Sequence, residues 1–159
     1  TLGIRFILAP GQQCARMSGD ELSGALIGAS ILVCNDYEYE LPKQKTGFDE
    51  PTILEKTGTL IITKGEHGST IITSDGETQV ASVKPRRIVD PTGVGDAFRG
   101  GLIKGLALDL PAQIAAQLGS VAAAYALEHL GGTSHAYTFG EFMTRYEEHF
   151  PPLNVNAET

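Results

Sequence analysis

The sequence predicts an α/β domain, a mainly parallel sheet with flanking helices, and three observations predict it. Short apolar and β-branched runs alternate with helical patterns through the first sixty residues. A cluster of strand-like runs with a hairpin signal, Asp75-Gly76, comes next. Alanine- and leucine-rich helical stretches then fill the C-terminal part. Strand–helix alternation is the pattern of crossover units, whose helices cover a sheet buried on both faces.

Each element follows from local chemistry. Ile4 to Leu8 reads as a short buried strand closed by Pro10-Gly11. Ser18-Gly19-Asp20-Glu21 is a capping box, Ser at the N-cap and Glu three residues on, and it opens a helix to about Gly28. Ile31 to Cys34 is a second buried strand. A short helix starts at Asn35, and Pro42 is expected to interrupt it, because proline removes a helical hydrogen bond and crowds the preceding turn. Asp49-Glu50-Pro51 starts another helix, ended by Gly58. Thr59 to Thr63 and Ser69 to Thr73 are β-branched runs, and Asp75-Gly76 turns the second into Thr78 to Ser82. Arg87 to Val89 reads as a last short strand. Helices are then expected over about 96–107, 112–129 and 139–149, the last opened by a second capping box, Thr138-Phe139-Gly140-Glu141. One domain over residues 1–150 and a loose tail over 151–159 complete the expectation.

Composition narrows the function classes. The 159 residues carry 12 basic and 19 acidic side chains, so the net charge of −7 repels phosphate backbones and argues against nucleic-acid binding. A small phosphate ligand held by local backbone groups is still compatible. Glycine supplies 19 of 159 residues, roughly 12% against about 7% in average usage, which points to tight turns or close backbone approaches. Cys14 and Cys34 lie in or beside apolar stretches and are too few for a disulfide framework. No run approaches the ~18 apolar residues of a membrane span, and no signal peptide opens the chain, so a cytoplasmic protein without membrane partners is expected. The chain begins at Thr1 and enters an apolar segment almost at once, as if cut from a larger fold. His67, His129, His135 and His149 show no paired metal-ligand spacing.

The stretch from Val89 to Gly101 carries the chemistry. A strand is expected to feed Gly93-Val94-Gly95, with a helix starting directly after it. Two glycines without Cβ atoms let consecutive backbone N–H groups converge, and the helix dipole adds to them, making an anion site with no cationic side chain. Asp96 then falls in the first helical turn. A carboxylate beside an anion hole suits phosphoryl transfer, with Asp96 taking the proton of an attacking hydroxyl. A plain helix start behind a glycine turn has the same local pattern. The P-loop sequence is absent, and the third glycine of the dinucleotide fingerprint is missing.

Taken whole, Asp90 to Phe98 resembles the C-terminal signature of the ribokinase-like (PfkB) carbohydrate and nucleoside kinases, D-[TP]-T-G-x-G-D-x-F, at every defined position. The resemblance implies that Asp96 is the catalytic base and that the backbone of Gly93, Val94 and Gly95 forms the anion hole for the transferred phosphoryl group. Asn35-Asp36-Tyr37-Glu38 resembles the N-x-x-E motif of that family. It implies nucleotide contact by Asn35 and Mg²⁺ organised by Glu38, directly or through water. Asn at an N-cap with Glu three residues on is equally a capping pattern. Thr63-Lys64-Gly65-Glu66-His67-Gly68 resembles the family's T-x-G-x-x-G loop at the ATP site. Asp90 and Thr92 fall where some relatives bind a monovalent cation such as K⁺, and Gly132, Thr133 and Ser134 where the family forms the wall of its adenine and cation sites.

Within the family, Gln12-Gln13, the Ser18 helix start, Asn35 to Glu38, Asp90 to Arg99 and Ala116 to Ser120 look most like the adenosine kinases of bacteria. In that subgroup a glutamine pair at the place of Gln12 and Gln13 reaches the nucleoside, and amides suit a ligand offering both donors and acceptors. Ala9 departs from the subgroup, which has Asp before the proline. The resemblance implies ATP-dependent phosphorylation of a purine nucleoside, adenosine foremost, at its 5′-hydroxyl, as in purine salvage. A family sugar kinase is the nearest alternative. Whole members run to about twice this length, so the chain is expected to be the ATP-binding C-terminal half of the domain. Alone it would be an inactive nucleotide-binding fragment that associates with the missing half or with itself.

Overall fold

The computed structural model describes residues 6–153. Ile4 and Arg5 of the expected first strand, and the tail from Asn154, lie outside the described residues. The chain divides into two compact units, Thr1–Val80 and Ala81–Thr159.

The first unit is a sheet with helices. Strand β1 (Phe6–Leu8) leads into a 3₁₀ turn (Gly11–Ala15) and helix α1 (Gly19–Leu26). Strand β2 (Ala29–Asn35) is followed by α2 (Asp36–Thr46) and α3 (Glu50–Thr57). Then come β3 (Leu60–Thr63), a second 3₁₀ turn (Gly65–His67), β4 (Ser69–Thr73) and β5 (Gly76–Val80). The five strands lie in chain order, with β1, β2 and β3 paired in parallel. β4 is antiparallel to both β3 and β5, so four of the five strands point the same way. The sheet is thus mixed and mostly parallel, as expected.

Alternation builds the core of this unit. Leu32 and Cys34 on β2, with Leu60 and Ile62 on β3, project to one face and pack with Leu26, Tyr39 and Ile53 from the helices. The helix starts read from sequence are the ones formed: Ser18 and Asn35 complete reciprocal capping boxes, and Asp49 caps α3. Two details differ. Helix α2 runs through Pro42 without interruption. Proline deletes one hydrogen bond there, but the Asn35 cap, the left-handed Gly47 C-cap and burial of the Pro42 ring hold the turns on either side. The hairpin loop is Ser74-Asp75 rather than Asp75-Gly76, because Gly76 already pairs with Thr73 and begins β5.

The second unit is helical: α4 (Val94–Ala107), α5 (Ala112–Leu127) and α6 (Phe139–Glu147), the last behind the Thr138 capping box. α4 and α5 approach closely because glycines line the contact. A Cβ on Gly101 would stand 2.7 Å from the Leu118 carbonyl oxygen, and one on Gly105 2.6 Å from the Ala115 Cα. Leu118, Val121 and Ala124 pack with Val83, Tyr146 and Phe150. A buried ion pair ties the unit together: Arg145 donates to both carboxylate oxygens of Glu128, which also accepts the Arg86 N–H. Burial pushes the Glu128 carboxyl up, and Arg145 and Arg86 more than reverse this, leaving it below its ordinary value. The strand expected over Arg87 to Val89 does not form. The Val89 and Asp90 N–H groups both donate to the Leu127 carbonyl, at 2.8 and 3.3 Å, so this segment is pinned to the end of α5 and Ile88 stays exposed.

Candidate active site

Three of the singled-out motifs sit at equivalent places in the first unit. The Gln12–Gln13 turn follows β1, Asn35 to Glu38 follow β2, and Thr63 to Gly68 follow β3. All three therefore leave the carboxyl ends of parallel strands, where open α/β sheets bind ligands. Asn35 and Thr63 are register partners at the ends of β2 and β3, and the Thr63 hydroxyl donates to the Cys34 carbonyl at 3.4 Å.

An open cleft of about 500 Å³ lies at this end of the sheet. Gln12, Gln13, Asn35 and Glu38, all read from sequence, line it, together with Arg16 and Tyr37, which were not. Arg16 belongs to no motif, and Tyr37 fills a variable position of the N-x-x-E motif, so no pattern singles either one out. The Asn35 side chain accepts the Glu38 N–H at 2.7 Å while a Glu38 carboxylate oxygen accepts the Asn35 N–H at 3.2 Å. The capping function is therefore realised, and it fixes the Glu38 carboxylate at the cleft. Oε2 is engaged in the cap, whereas Oε1 lies 3.9 Å from where a Cβ on Gly11 would stand. One carboxylate oxygen facing a cleft fits Mg²⁺, which commonly takes one or two carboxylates and completes its shell with water and substrate phosphates. No group of three or more His, Cys, Asp or Glu side chains that could hold a metal occurs among the described residues.

Thr63 to Gly68 form a tight loop outside that cleft lining. Lys64 N–H donates to the Gly68 carbonyl at 2.7 Å, and Gly65 and Gly68 take positive φ values of 57° and 80°. Glu66 and His67 are exposed on it.

In the second unit the signature forms a helix start of a different kind. Gly93 is the N-cap of α4, at φ 77°, and no side chain caps it. A Cβ there would stand 2.5 Å from the Gly132 Cα, so both the φ and the close approach require glycine. Val94, Gly95 and Asp96 are the first three residues of α4, whose N–H groups have no acceptor within the helix. Val94 N–H reaches only the Pro91 carbonyl, at 3.4 Å. The Gly95 and Asp96 N–H groups thus face outward at the positive end of the helix dipole. The Asp96 side chain is 77% exposed and accepts from the guanidinium of Arg99, one turn on. That partner was readable from the three-residue spacing.

Asp90 braces the loop. Its carboxylate accepts the Thr92 N–H at 2.8 Å and the Gly131 N–H at 2.9 Å. Hydrogen bonds from Thr92, then the Gly131 N–H, hold it below its ordinary carboxylate range. Gly132 touches Gly93 directly, and the Ser134 hydroxyl donates to the Leu130 carbonyl. In the first unit Cys14 and Cys34 are both buried, and burial raises both thiols. None of the helices among the described residues is long and apolar enough to cross a membrane.

Comparison with known proteins places the chain in a family. Residues 12–138 match the family described as pfkB family carbohydrate kinase. A nucleoside kinase of Methanocaldococcus jannaschii is 28% identical over 140 residues, covering 88% of this chain and 46% of the relative. The structure of Burkholderia thailandensis nucleoside kinase in complex with inosine matches with a TM-score of 0.90 at 40% identity, over 93% of this chain and 49% of that one. The same protein in complex with ADP-inosine gives the same score and identity. A ribokinase of Thermotoga maritima, at 21% identity and a TM-score of 0.75, shares the fold. The chain spans about half the length of the relatives it matches.

Proposed function

Because the chain belongs to the PfkB carbohydrate kinase family, we propose that it carries the ATP-binding and catalytic half of a nucleoside kinase. The reaction is transfer of the γ-phosphoryl group of ATP to the 5′-hydroxyl of a purine nucleoside. The observation that carries this is the α4 start: an uncapped helix N-terminus with Asp96 as its third residue. The nucleoside class draws support from the relatives, a nucleoside kinase from Methanocaldococcus jannaschii and one from Burkholderia thailandensis in complex with inosine. Adenosine is the acceptor favoured by the sequence pattern.

Under this assignment each motif has one task. Asp96 accepts the proton of the acceptor hydroxyl, a poor nucleophile until that proton leaves. The backbone of Gly93, Val94 and Gly95, through the outward Gly95 N–H and the adjoining Asp96 N–H, stabilises the charge on the phosphoryl oxygens during transfer. Thr63 to Gly68 and Asn35 contact the nucleotide, and Gln12 and Gln13 contact the nucleoside. Mg²⁺ held by Glu38 through water would neutralise charge on the phosphates. Asp90 serves the loop, and K⁺ bound beside it would offset its negative charge near the phosphoryl group.

The test is a comparison of kcat/KM for adenosine, inosine, ribose and fructose in the complete enzyme. At least one purine nucleoside should exceed both sugars by well over tenfold. A sugar phosphorylated as efficiently as the best nucleoside would move the assignment to a sugar kinase. The isolated 16.9 kDa chain should be almost inactive, since most acceptor contacts of this family lie outside the segment it covers. Saturable adenosine phosphorylation by a 16.9 kDa monomer would contradict the half-domain assignment.

A further inference from the structure

Lys45, in the last turn of α2, donates from one ammonium group to three backbone carbonyls: Cys14 at 2.9 Å, Ala15 at 2.8 Å and Met17 at 2.7 Å. The first two belong to the end of the 3₁₀ turn that carries Gln12 and Gln13, and Met17 lies two residues past it. A helical turn leaves its last carbonyls without partners. Here the Arg16 and Met17 N–H groups both bond the Gln13 carbonyl, so the next carbonyls along depend on an outside donor. An ammonium has three donors and no acceptor, matched one to one by three carbonyls. The pairing spans 28 to 31 residues of sequence, and it faces carbonyls rather than a carboxylate, so it is not a surface ion pair.

The consequence concerns the cleft. One wall is the Gln12–Gln13 turn and the other is the start of α2 at Asn35 and Glu38. Lys45 belongs to the same helix as the second wall and holds the backbone of the first. The close seat of Gly19 keeps this arrangement tight: a Cβ on Gly19 would stand 2.2 Å from the Lys45 carbonyl oxygen. No part of Lys45 lines the cleft.

We propose that Lys45 is a positioning residue for the nucleoside: it fixes the Gln12–Gln13 turn against α2 and so sets acceptor affinity without touching either substrate. This rests on the nucleoside kinase assignment above. The effect falls on one substrate, because Lys45 bonds only the backbone around the Gln12–Gln13 turn: Thr63 to Gly68 and the α4 start receive no bond from it, and Asn35 and Glu38 are held by their own reciprocal cap.

The test uses the complete enzyme with K45M, which keeps the length of the side chain and removes its donors. Losing one charged hydrogen bond's worth of positioning should raise the KM for the nucleoside roughly tenfold, with kcat and the KM for ATP near wild type. K45A should show the same defect, and added n-butylamine should lower its nucleoside KM again by supplying an ammonium to the three carbonyls. If K45M does not accumulate folded, K45R carries the test, since a planar fork cannot place three donors on carbonyls arranged for a compact ammonium. A folded variant with wild-type nucleoside KM, or one whose KM for ATP rises as much, overturns the role of Lys45 alone. A wild-type enzyme that phosphorylates no nucleoside overturns the assignment and this inference together.

Discussion

The helix starts at Asn35 and at Gly93 are built in opposite ways. At Asn35 the turn satisfies itself, with side chain and backbone of residues three apart exchanging hydrogen bonds. At Gly93 no side chain caps the helix, and the turn is held by residues some forty positions away. Asp90 reaches Gly131, the Val89 N–H reaches the Leu127 carbonyl, and Gly132 packs on Gly93. A capped start contributes stability and presents its acid to a cleft. A start behind glycine gives up only a few tenths of a kcal/mol of capping and leaves its N–H groups without a side-chain partner. The α4 start is thus held from outside, and its own donors stay free of side-chain caps.

Breaking the distant support should give the largest effect. Glu128→Ala leaves Arg145, which is 2% exposed, as an uncompensated buried charge, a loss of about 3–5 kcal/mol in urea unfolding. Hydrogen exchange should rise at Val89, Ala97 and Gly131, whose N–H groups are bonded around the α4 start, and stay unchanged at Asn35 and Glu38. Equal acceleration at both turns would show that they do not differ in their support. Gly93→Ala comes next. It forces a left-handed φ on alanine and sets a Cβ 2.5 Å from the Gly132 Cα, costing about 1–3 kcal/mol in backbone strain. A melting temperature equal to wild type would refute the close approach. Asn35→Ala removes the side-chain acceptor of the Glu38 N–H and should cost about 1 kcal/mol, while the backbone N–H of residue 35 still holds the Glu38 carboxylate, so nucleotide affinity should fall only by the contact of the Asn35 side chain itself.

The smallest effect is a pH dependence. Asp90 is held below its unfolded value, so its contribution is present above about pH 4 and is lost as the pH falls through the folded value. Asp90→Asn should flatten that acid limb of stability, read as a melting temperature that changes less between pH 5 and pH 3 (roughly the carboxylate range). An acid limb identical to wild type would remove Asp90 from the account.

The same contrast explains what the sequence made legible. Ser18, Asn35, Asp49 and Thr138 announce their helices because a cap is a local event over three residues. The parallel strands were readable from their β-branched runs, and the signature at Asp90 to Phe98 from its glycines and acid. Non-local events were not. The Arg87 to Val89 run has strand composition, yet its Val89 N–H and its Arg87 guanidinium go to the end of α5, a partner that periodicity cannot name. Pro42 stays inside α2 because tertiary burial outweighs the lost hydrogen bond. Arg16 and Tyr37 enter the cleft, and Lys45 braces it, only once the turns after β1 and β2 are set side by side. Gly93 was legible as a turn residue, but its contact with Gly132 needed the fold.

The proposed mechanism gives the chemistry to the open α4 start and the shaping of the loop to the braced Asp90 beside it. The direct measurement compares Asp96→Asn with Asp90→Asn in the complete enzyme, with kcat and nucleotide Kd determined for each. Asn at position 96 keeps the size of the side chain and leaves the backbone donors in place, but it accepts no proton. We expect kcat to fall by roughly 10²–10⁴ for Asp96→Asn, with nucleotide Kd unchanged or slightly tighter, since a negative charge near the phosphates is gone. Asp90→Asn should lose far less in kcat and show its defect in stability. Near-normal kcat for Asp96→Asn would contradict the account, because the proton of the acceptor would then have to leave by another route.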